Sequence, residues 1–412
     1  MSPSRTLTTT LTMLVAATVL ASTAAPALAA PARTDAPART DAPQSVAHHH
    51  PRTAGRAALQ RALDAITAEG VPGAVAEVRD ENGVWRGAAG KAGLEDGRRA
   101  RAEDRFRAGS VTKSLVATVV LQLVAEQKLG LDDSVERHLP GLLPPGPRGE
   151  RVTVRQLLHH TSGLPDYLTD DLVDLSKPDQ VVDRLRSLGN ARYAPRQLTA
   201  LGVKHGWKFA PDEQGKWSYS NTNYVVLGLL VERATGRTLA QEITGRVIRP
   251  LHLKDTSFPT TSRMPGRHHL NGYEWAPGSD RPVDFTRFDP ATIWSTGTVI
   301  STAHDLNTFF RALSDGKPLP PHLRKEMHRL IPMGAGREGR SYGLGLENST
   351  RFCGTAAPVW GHSGSVAGYN TFSFVTADGK RQVTLSMNRN FSKSRDADGK
   401  AAKFLGTALC RK

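Results

Sequence analysis

Ser110 and Lys113, in Gly109-Ser110-Val111-Thr112-Lys113, set a hydroxyl and an amine one helical turn apart. Residues i and i+3 share a helix face, so the two groups can occupy one pocket, where the amine would activate the hydroxyl to attack a carbonyl. The following run, Ser114-Leu115-Val116-Ala117-Thr118-Val119-Val120-Leu121-Gln122-Leu123-Val124, is apolar enough for a buried helix. Ser110 would then lie in its first turn, near the positive end of the helix dipole, a setting that favours a developing oxyanion. A second Ser-x-x-Lys, Ser314-Asp315-Gly316-Lys317, sits on an Asp-Gly turn signal, where nothing would bury or orient the lysine, and is read as an ordinary loop.

Two further segments carry chemistry. Tyr219-Ser220-Asn221 offers a phenol and an amide two positions apart, ahead of an apolar run at 225–231. Trp360-Gly361-His362-Ser363-Gly364-Ser365 is polar and Gly-rich, and the alternating Phe372-Ser373-Phe374-Val375 beyond it reads as a strand entering a sheet. Taken singly, Tyr219, Asn221, His362 and Lys113 would each read as an ordinary structural residue. Their joint order changes that reading.

Ser-x-x-Lys, then Tyr-x-Asn, then His-Ser-Gly resembles the penicillin-recognising serine hydrolases. The chain looks most like the branch holding secreted D-alanyl-D-alanine carboxypeptidases, class C β-lactamases and related esterases. Phe106-Arg107-Ala108-Gly109-Ser110, Val152-Thr153-Val154-Arg155-Gln156-Leu157-Leu158, His160-Thr161-Ser162-Gly163-Leu164 and Tyr342-Gly343-Leu344-Gly345 extend the likeness over roughly residues 55–412. The resemblance implies catalytic roles for Ser110, acylated during turnover, for Lys113, and for Tyr219 as proton shuttle. It implies that Asn221 orients Lys113 and the substrate amide, and that His362, Ser363, Gly364 and Ser365 form the substrate-binding strand. The backbone N–H groups of Ser110 and Ser365 would be the oxyanion hole. An ammonium about 4 Å from a phenolate, at an effective dielectric of about 20, contributes roughly 4 kcal/mol, so the tyrosine is expected to titrate closer to neutrality than its usual value of about 10, with desolvation opposing.

Other chemistries lack their signatures. No Gly-x-Ser-x-Gly elbow surrounds Ser110, no glycine-rich phosphate loop is present, and the adjacent histidine pairs lack zinc-ligand spacing, so neither cofactor nor metal is expected. The formal charge is +15, but the basic residues are scattered without an aromatic-basic motif, so nucleic acid is not an expected partner. That charge is compatible with association with anionic cell-wall polymers.

The N-terminus suggests an address. Arg5, the apolar stretch at 11–25 and the small-x-small pattern Ala27-Leu28-Ala29 read as a signal peptide over 1–29, so a secreted protein is expected. No later apolar stretch reaches membrane-spanning length. Residues 30–55, with Pro-Ala-Arg-Thr-Asp-Ala at 31–36 repeated at 37–42, read as a Pro/Ala-rich spacer expected to be disordered, and 56–412 as the hydrolase domain. Cys353 and Cys410 in an exported chain are expected to form a disulfide joining the strand region before His362 to the last helix.

The coarse layout is α+β. A helix at 57–68, a hairpin across Asn82-Gly83, a mainly helical insert from Ser110 to about residue 315, returning strands near Trp360, at 372–376 and at 383–387, and a final helix at 397–409 give an antiparallel sheet flanked by helices. One departure bears on substrate. Where the carboxypeptidase branch is expected to hold an arginine for the substrate carboxylate, Tyr342-Gly343-Leu344-Gly345-Leu346 is followed by Glu347, which would repel it; Arg351 from the same loop, with His362 or Ser363, would then supply the recognition. The expected activity is a serine hydrolase acting through acyl-Ser110, D-alanyl-D-alanine carboxypeptidase-like on peptide or ester small molecules. An esterase, a β-lactamase, a D-amino-acid amidase and a non-catalytic penicillin-binding wall module are the alternatives.

Overall fold

The computed structural model describes residues 51–410, apart from residues 175, 212, 354–357 and 392–395. The segments read as signal peptide and most of the spacer lie outside the described residues. The first helix begins at Pro51, inside the segment assigned to the spacer, and runs to Ala68; proline is tolerated at a helix start, where its missing N–H has no intrahelical partner.

Strands β1 (Gly73–Asp80) and β2 (Gly83–Gly90) form the expected hairpin. Asp80 pairs with Gly83, so Glu81 and Asn82 make the turn, and Gly83 leaves it at φ +99°, a conformation that favours glycine. The other strands of the same sheet come from the far end of the chain: β3 (Ile331–Pro332), β4 (Arg340–Tyr342), β5 (Glu347–Ser349), β6 (Val359–Val366), β7 (Tyr369–Thr376) and β8 (Gln382–Met387). They build one antiparallel sheet of eight strands, ordered β2-β1-β8-β7-β6-β5-β4-β3.

Alternation sends β1 side chains into two apolar clusters. Ala74, Ala76 and Val78 join Leu63, Leu385 and Phe404 on the face covered by helices Pro51–Ala68 and Ala397–Leu409. Val75 faces the other cluster with Phe309 of helix Ala303–Ser314 and with helix Thr112–Ala125. Burial on both faces encloses Gly73 to Val78, Glu77 included, and that buried carboxylate pairs with Arg79 and Arg86 at 2.7 Å each. The disulfide forms as expected: Cys410 ends the last helix and bonds Cys353, which follows β5.

Residues between the hairpin and the returning strands supply most of the helices. Helix Thr112–Ala125 is buried on nearly all sides, as its lack of a polar face requires. Helix Asn221–Thr235 packs beside it. The sheet meets this helical part along β6. That strand pairs with β7 over its full length but with β5 only from Val359 to Gly361, so its edge from His362 to Val366 has no strand partner.

Candidate active site

Ser110 lies not inside the helix but in a single 3-10 turn, Gly109–Val111, that feeds directly into helix Thr112–Ala125. The tighter turn leaves the i to i+3 relation intact: Lys113 Nζ is 3.0 Å from Ser110 Oγ. The amine is completely buried and donates to two further groups, Asn221 Oδ1 at 2.8 Å and the Thr296 carbonyl at 2.8 Å. Asn221 begins its helix, and its Nδ2 is held by both oxygens of buried Asp166, at 3.1 and 2.9 Å. Those bonds turn the amide oxygen toward Lys113.

Burial pulls Lys113 down to about 7, with Asp166 and then Glu347 opposing the fall. Both fixed neighbours, an amide oxygen and a carbonyl, can only accept hydrogen bonds. A neutral amine therefore spends its two N–H donors on them and points its lone pair at Ser110. The geometry fits Lys113 as the base.

Tyr219 differs from the expectation. Its hydroxyl hydrogen-bonds Ser110, and Lys113 Nζ sits 5.0 Å from the centre of its ring. Its proton affinity nevertheless lies well above the ordinary phenol value, because burial dominates and Glu347 and Asp166 add repulsion, outweighing the Ser110 bond. Desolvation thus moves the lysine toward neutrality and the tyrosine away from it. Tyr219 is placed to relay a proton as a neutral phenol rather than to wait as a phenolate.

At the expected oxyanion pocket two backbones run close together. Gly109 has φ +55°, and a Cβ there would lie 2.8 Å from the Ser365 nitrogen. A Cβ on Gly364 would lie 2.0 Å from the Ala108 carbonyl oxygen and 3.2 Å from the Ser110 nitrogen. Only glycine at both positions lets β6 lie against the nucleophile turn. The Ser363 N–H leaves the unpaired edge of β6 toward Glu347, at 3.3 Å. Strand alternation sends the Ser365 N–H out of the same edge, toward Gly109 and Ser110.

His362 and Ser363 are turned to other partners. His362 is buried, with Nδ1 against the Ser363 carbonyl at 2.5 Å and Nε2 against the Tyr342 hydroxyl at 2.8 Å. Burial lowers its proton affinity despite the nearby Glu347. The Ser363 hydroxyl donates to Glu347 at 2.6 Å. Glu347 in turn pairs with Arg340 at 2.8 Å, so burial is outweighed by His362 and Arg340 and the carboxylate stays ionised. Arg351, the expected replacement, is exposed and does not line the cleft.

Several contributors carried little signal in the sequence. Asp166 follows the His160-Thr161-Ser162-Gly163-Leu164 segment, which marked the region but not the carboxylate. Thr296 offers only a backbone oxygen, invisible by residue type. His160 adopts φ +65°, stacks on Tyr219 with ring centres 4.3 Å apart, and accepts the Ser220 N–H at 3.1 Å. The second Ser-x-x-Lys falls at the end of helix Ala303–Ser314, with Gly316 at φ +76°, as a turn should.

Ser110, Asp166, Tyr219, Asn221, Thr296, His362, Ser363 and Ser365 line a cleft of about 760 Å³. Leu185, Leu188, Phe288 and Ile293 supply an apolar wall, while Trp217, Arg337, Arg340, Glu347 and Ser363 supply a polar one. The family described as Beta-lactamase matches residues 58–407. The chain belongs to the β-lactamase family of serine hydrolases. Family relatives include Penicillin-binding protein 4* of Bacillus subtilis (strain 168), 28% identical over 316 residues covering 73% of this chain and 64% of that protein. Esterase EstB of Burkholderia gladioli is 32% identical over 308 residues, covering 66% of this chain and 74% of that one. Among solved structures of this fold, a D-stereospecific amidohydrolase from Streptomyces sp. superposes with TM-score 0.74 at 35% identity, over 84% of this chain and 98% of that one. The chain spans less than two thirds of the length of the first curated relatives it matches. No helix among the described residues is long and apolar enough to cross a membrane.

Proposed function

We propose that this protein is an exported serine hydrolase that forms an acyl-enzyme on Ser110 and cleaves peptide or amide bonds at D-amino acid residues, with carboxypeptidase-like trimming of cell-wall peptides as its setting. The observation that carries the chemistry is the Lys113 amine, buried, near neutrality and held by two acceptors so that its third position faces Ser110 Oγ. The likeness to the D-stereospecific amidohydrolase supports the substrate class, and the signal-like residues 1–29 support export.

In this reading Ser110 Oγ bonds to the substrate carbonyl carbon and its proton passes to Lys113 Nζ. The resulting oxyanion is held by the Ser110 and Ser365 N–H groups. The C–N bond then breaks, and the leaving amine takes a proton relayed from Lys113 through the Tyr219 hydroxyl. Water attacks the acyl-Ser110 ester by the reverse proton path and releases the acid. The EstB likeness favours a second reading, in which esters are the preferred acyl donors.

The test pairs intact-protein mass spectrometry after benzylpenicillin with hydrolysis of matched D- and L-aminoacyl amides and esters, in wild type and Ser110→Ala. An adduct or turnover on the wild type alone, with D-amides cleaved at least tenfold faster than L-amides, is the expected result. Full turnover by Ser110→Ala would sink the acyl-enzyme, and hydrolysis confined to esters would replace the amidase reading with the esterase one.

A further inference from the structure

A second concave site opens at the start of β6, at the other end of the strand from Ser365. Its volume is about 740 Å³, and it shares no lining residue with the catalytic cleft. Four of the side chains that line it, Phe310, Leu313, Leu346 and Val375, are apolar and buried. Trp360 stands beside them, two residues before His362 and therefore on the same face of β6. Its ring is half-buried and set edgewise against His328, with centres 4.5 Å apart. The indole N–H has no hydrogen-bond partner among the described residues.

The rest of the wall is basic. Arg324 and Lys325 of helix Pro321–Met327, and Arg329 just beyond it, line the site, and none has a carboxylate within 4 Å among the described residues. Arg324 reaches the Ser314 carbonyl at 3.4 Å, a neutral partner. Arg329 acts on Asp132 only at longer range, and that carboxylate is bonded by Arg155 at 2.7 Å. Glu326, the only carboxylate among the described lining residues, is also taken by Arg155. Three positive charges thus share one short segment, and the fold leaves them without a negative partner.

An aromatic face beside unpaired cations is complementary to a ligand that is apolar on one face and negative at its edge. A sugar ring bearing carboxylate or phosphate groups has that shape, with C–H bonds on the face and charge on the rim. An export signal read over residues 1–29 favours such a glycan over nucleic acid.

We propose that this site holds an anionic glycan, with a sugar ring on Trp360 and its charged groups on Arg324, Lys325 and Arg329. It seats the enzyme on a charged polysaccharide while the catalytic cleft works on small molecules. The two sites are separate, so this assignment and the acyl-enzyme reading stand or fall independently. Lys325 and Arg329 are exposed, so each charge is worth about two- to fivefold in affinity and is screened by salt.

The experiment is isothermal titration calorimetry of the full mature chain with hexagalacturonate. Maltohexaose serves as the neutral sugar, tripolyphosphate as charge without a sugar, and a thymidine hexanucleotide as the nucleic-acid control. The wild type should bind hexagalacturonate at least tenfold more tightly than maltohexaose, and less tightly as salt rises. The double variant Lys325→Ala/Arg329→Ala should bind it about tenfold more weakly, with benzylpenicillin acylation unchanged. Trp360→Leu should weaken the glycan by about tenfold and leave tripolyphosphate as it was. Thermal melting checks each variant; if Trp360→Leu does not fold, the double variant and the wild-type comparison of glycan with tripolyphosphate decide. Equal affinity in wild type and the double variant would overturn the proposal. Tripolyphosphate binding as tightly as the glycan would reduce the site to a plain anion patch, and tighter binding of the hexanucleotide would hand it to nucleic acid; either result sinks the glycan assignment.

Discussion

Replacing Asp166 with asparagine tests whether Lys113 is the base. The new side chain keeps one oxygen, at the Oδ1 position, to accept from the Leu168 N–H and from Asn221 Nδ2, but it removes the charge that steadies the Lys113 ammonium. The path from Lys113 Nζ runs 2.8 Å to Asn221 Oδ1, across one amide, and 2.9 Å to Asp166. That places the two charges about 7 Å apart, worth about 2.4 kcal/mol at an effective dielectric of about 20, or roughly 1.7 pH units. Burial raises the proton affinity of Asp166, with the Leu168 and Asn221 hydrogen bonds and the Lys113 charge opposing, and a shift of about one pH unit or more is expected on its removal. The sign is fixed. Lys113 acts when neutral, so wild-type kcat/KM should rise with pH through about 7. Losing a nearby negative charge destabilises the ammonium, so the Asp166→Asn rise should occur near pH 6. A pH–rate profile of acylation, followed with a chromogenic amide or ester, measures this directly. A rise that stays put, or moves upward, would refute Lys113 as the titrating base.

Two other outcomes follow from packing. Gly364→Ala puts a methyl group 2.0 Å from the Ala108 carbonyl oxygen, which forces β6 off the nucleophile turn and withdraws the Ser365 N–H; acylation should slow by about a hundredfold or more, read by stopped-flow kinetics beside a melting curve. Replacing Cys353 and Cys410 with serine opens a loop spanning 57 residues, and urea titration should show a loss of up to about 4 kcal/mol by the chain-entropy relation.

How much was legible depended on whether a property belongs to residue type or to placement. The hairpin across Asn82-Gly83, the last helix and the returning strands announced themselves through turn residues and apolar patterning. Ser110, Lys113, Tyr219, Asn221 and the His362 to Ser365 strand were legible because three short patterns stood in order, and the fold gathers them around one cleft. The inverted titration of Lys113 and Tyr219 was not legible, since a pair calculation gives the attraction but not the burial that outweighs it. The neutralisation of Glu347 was hidden because Arg340 reaches it from the neighbouring strand β4. Thr296 contributes only a main-chain atom, which every residue has. The place of Arg337 in the cleft wall gave no signal, because a lone arginine in a glycine-rich loop looks like any exposed cation.

The helix that follows Ser110 has consequences for how the protein fails as well as how it works. Segments enclosed on every side open only when most of the molecule opens, whereas exposed glycine-rich loops open alone at little cost. Ser110 and Lys113 are attached to the first kind and Arg337 to the second. The reactive groups therefore share the lifetime of the whole fold and stay aligned until it is lost. The exposed loop at the mouth of the cleft can loosen or be exchanged by substitution without disturbing them.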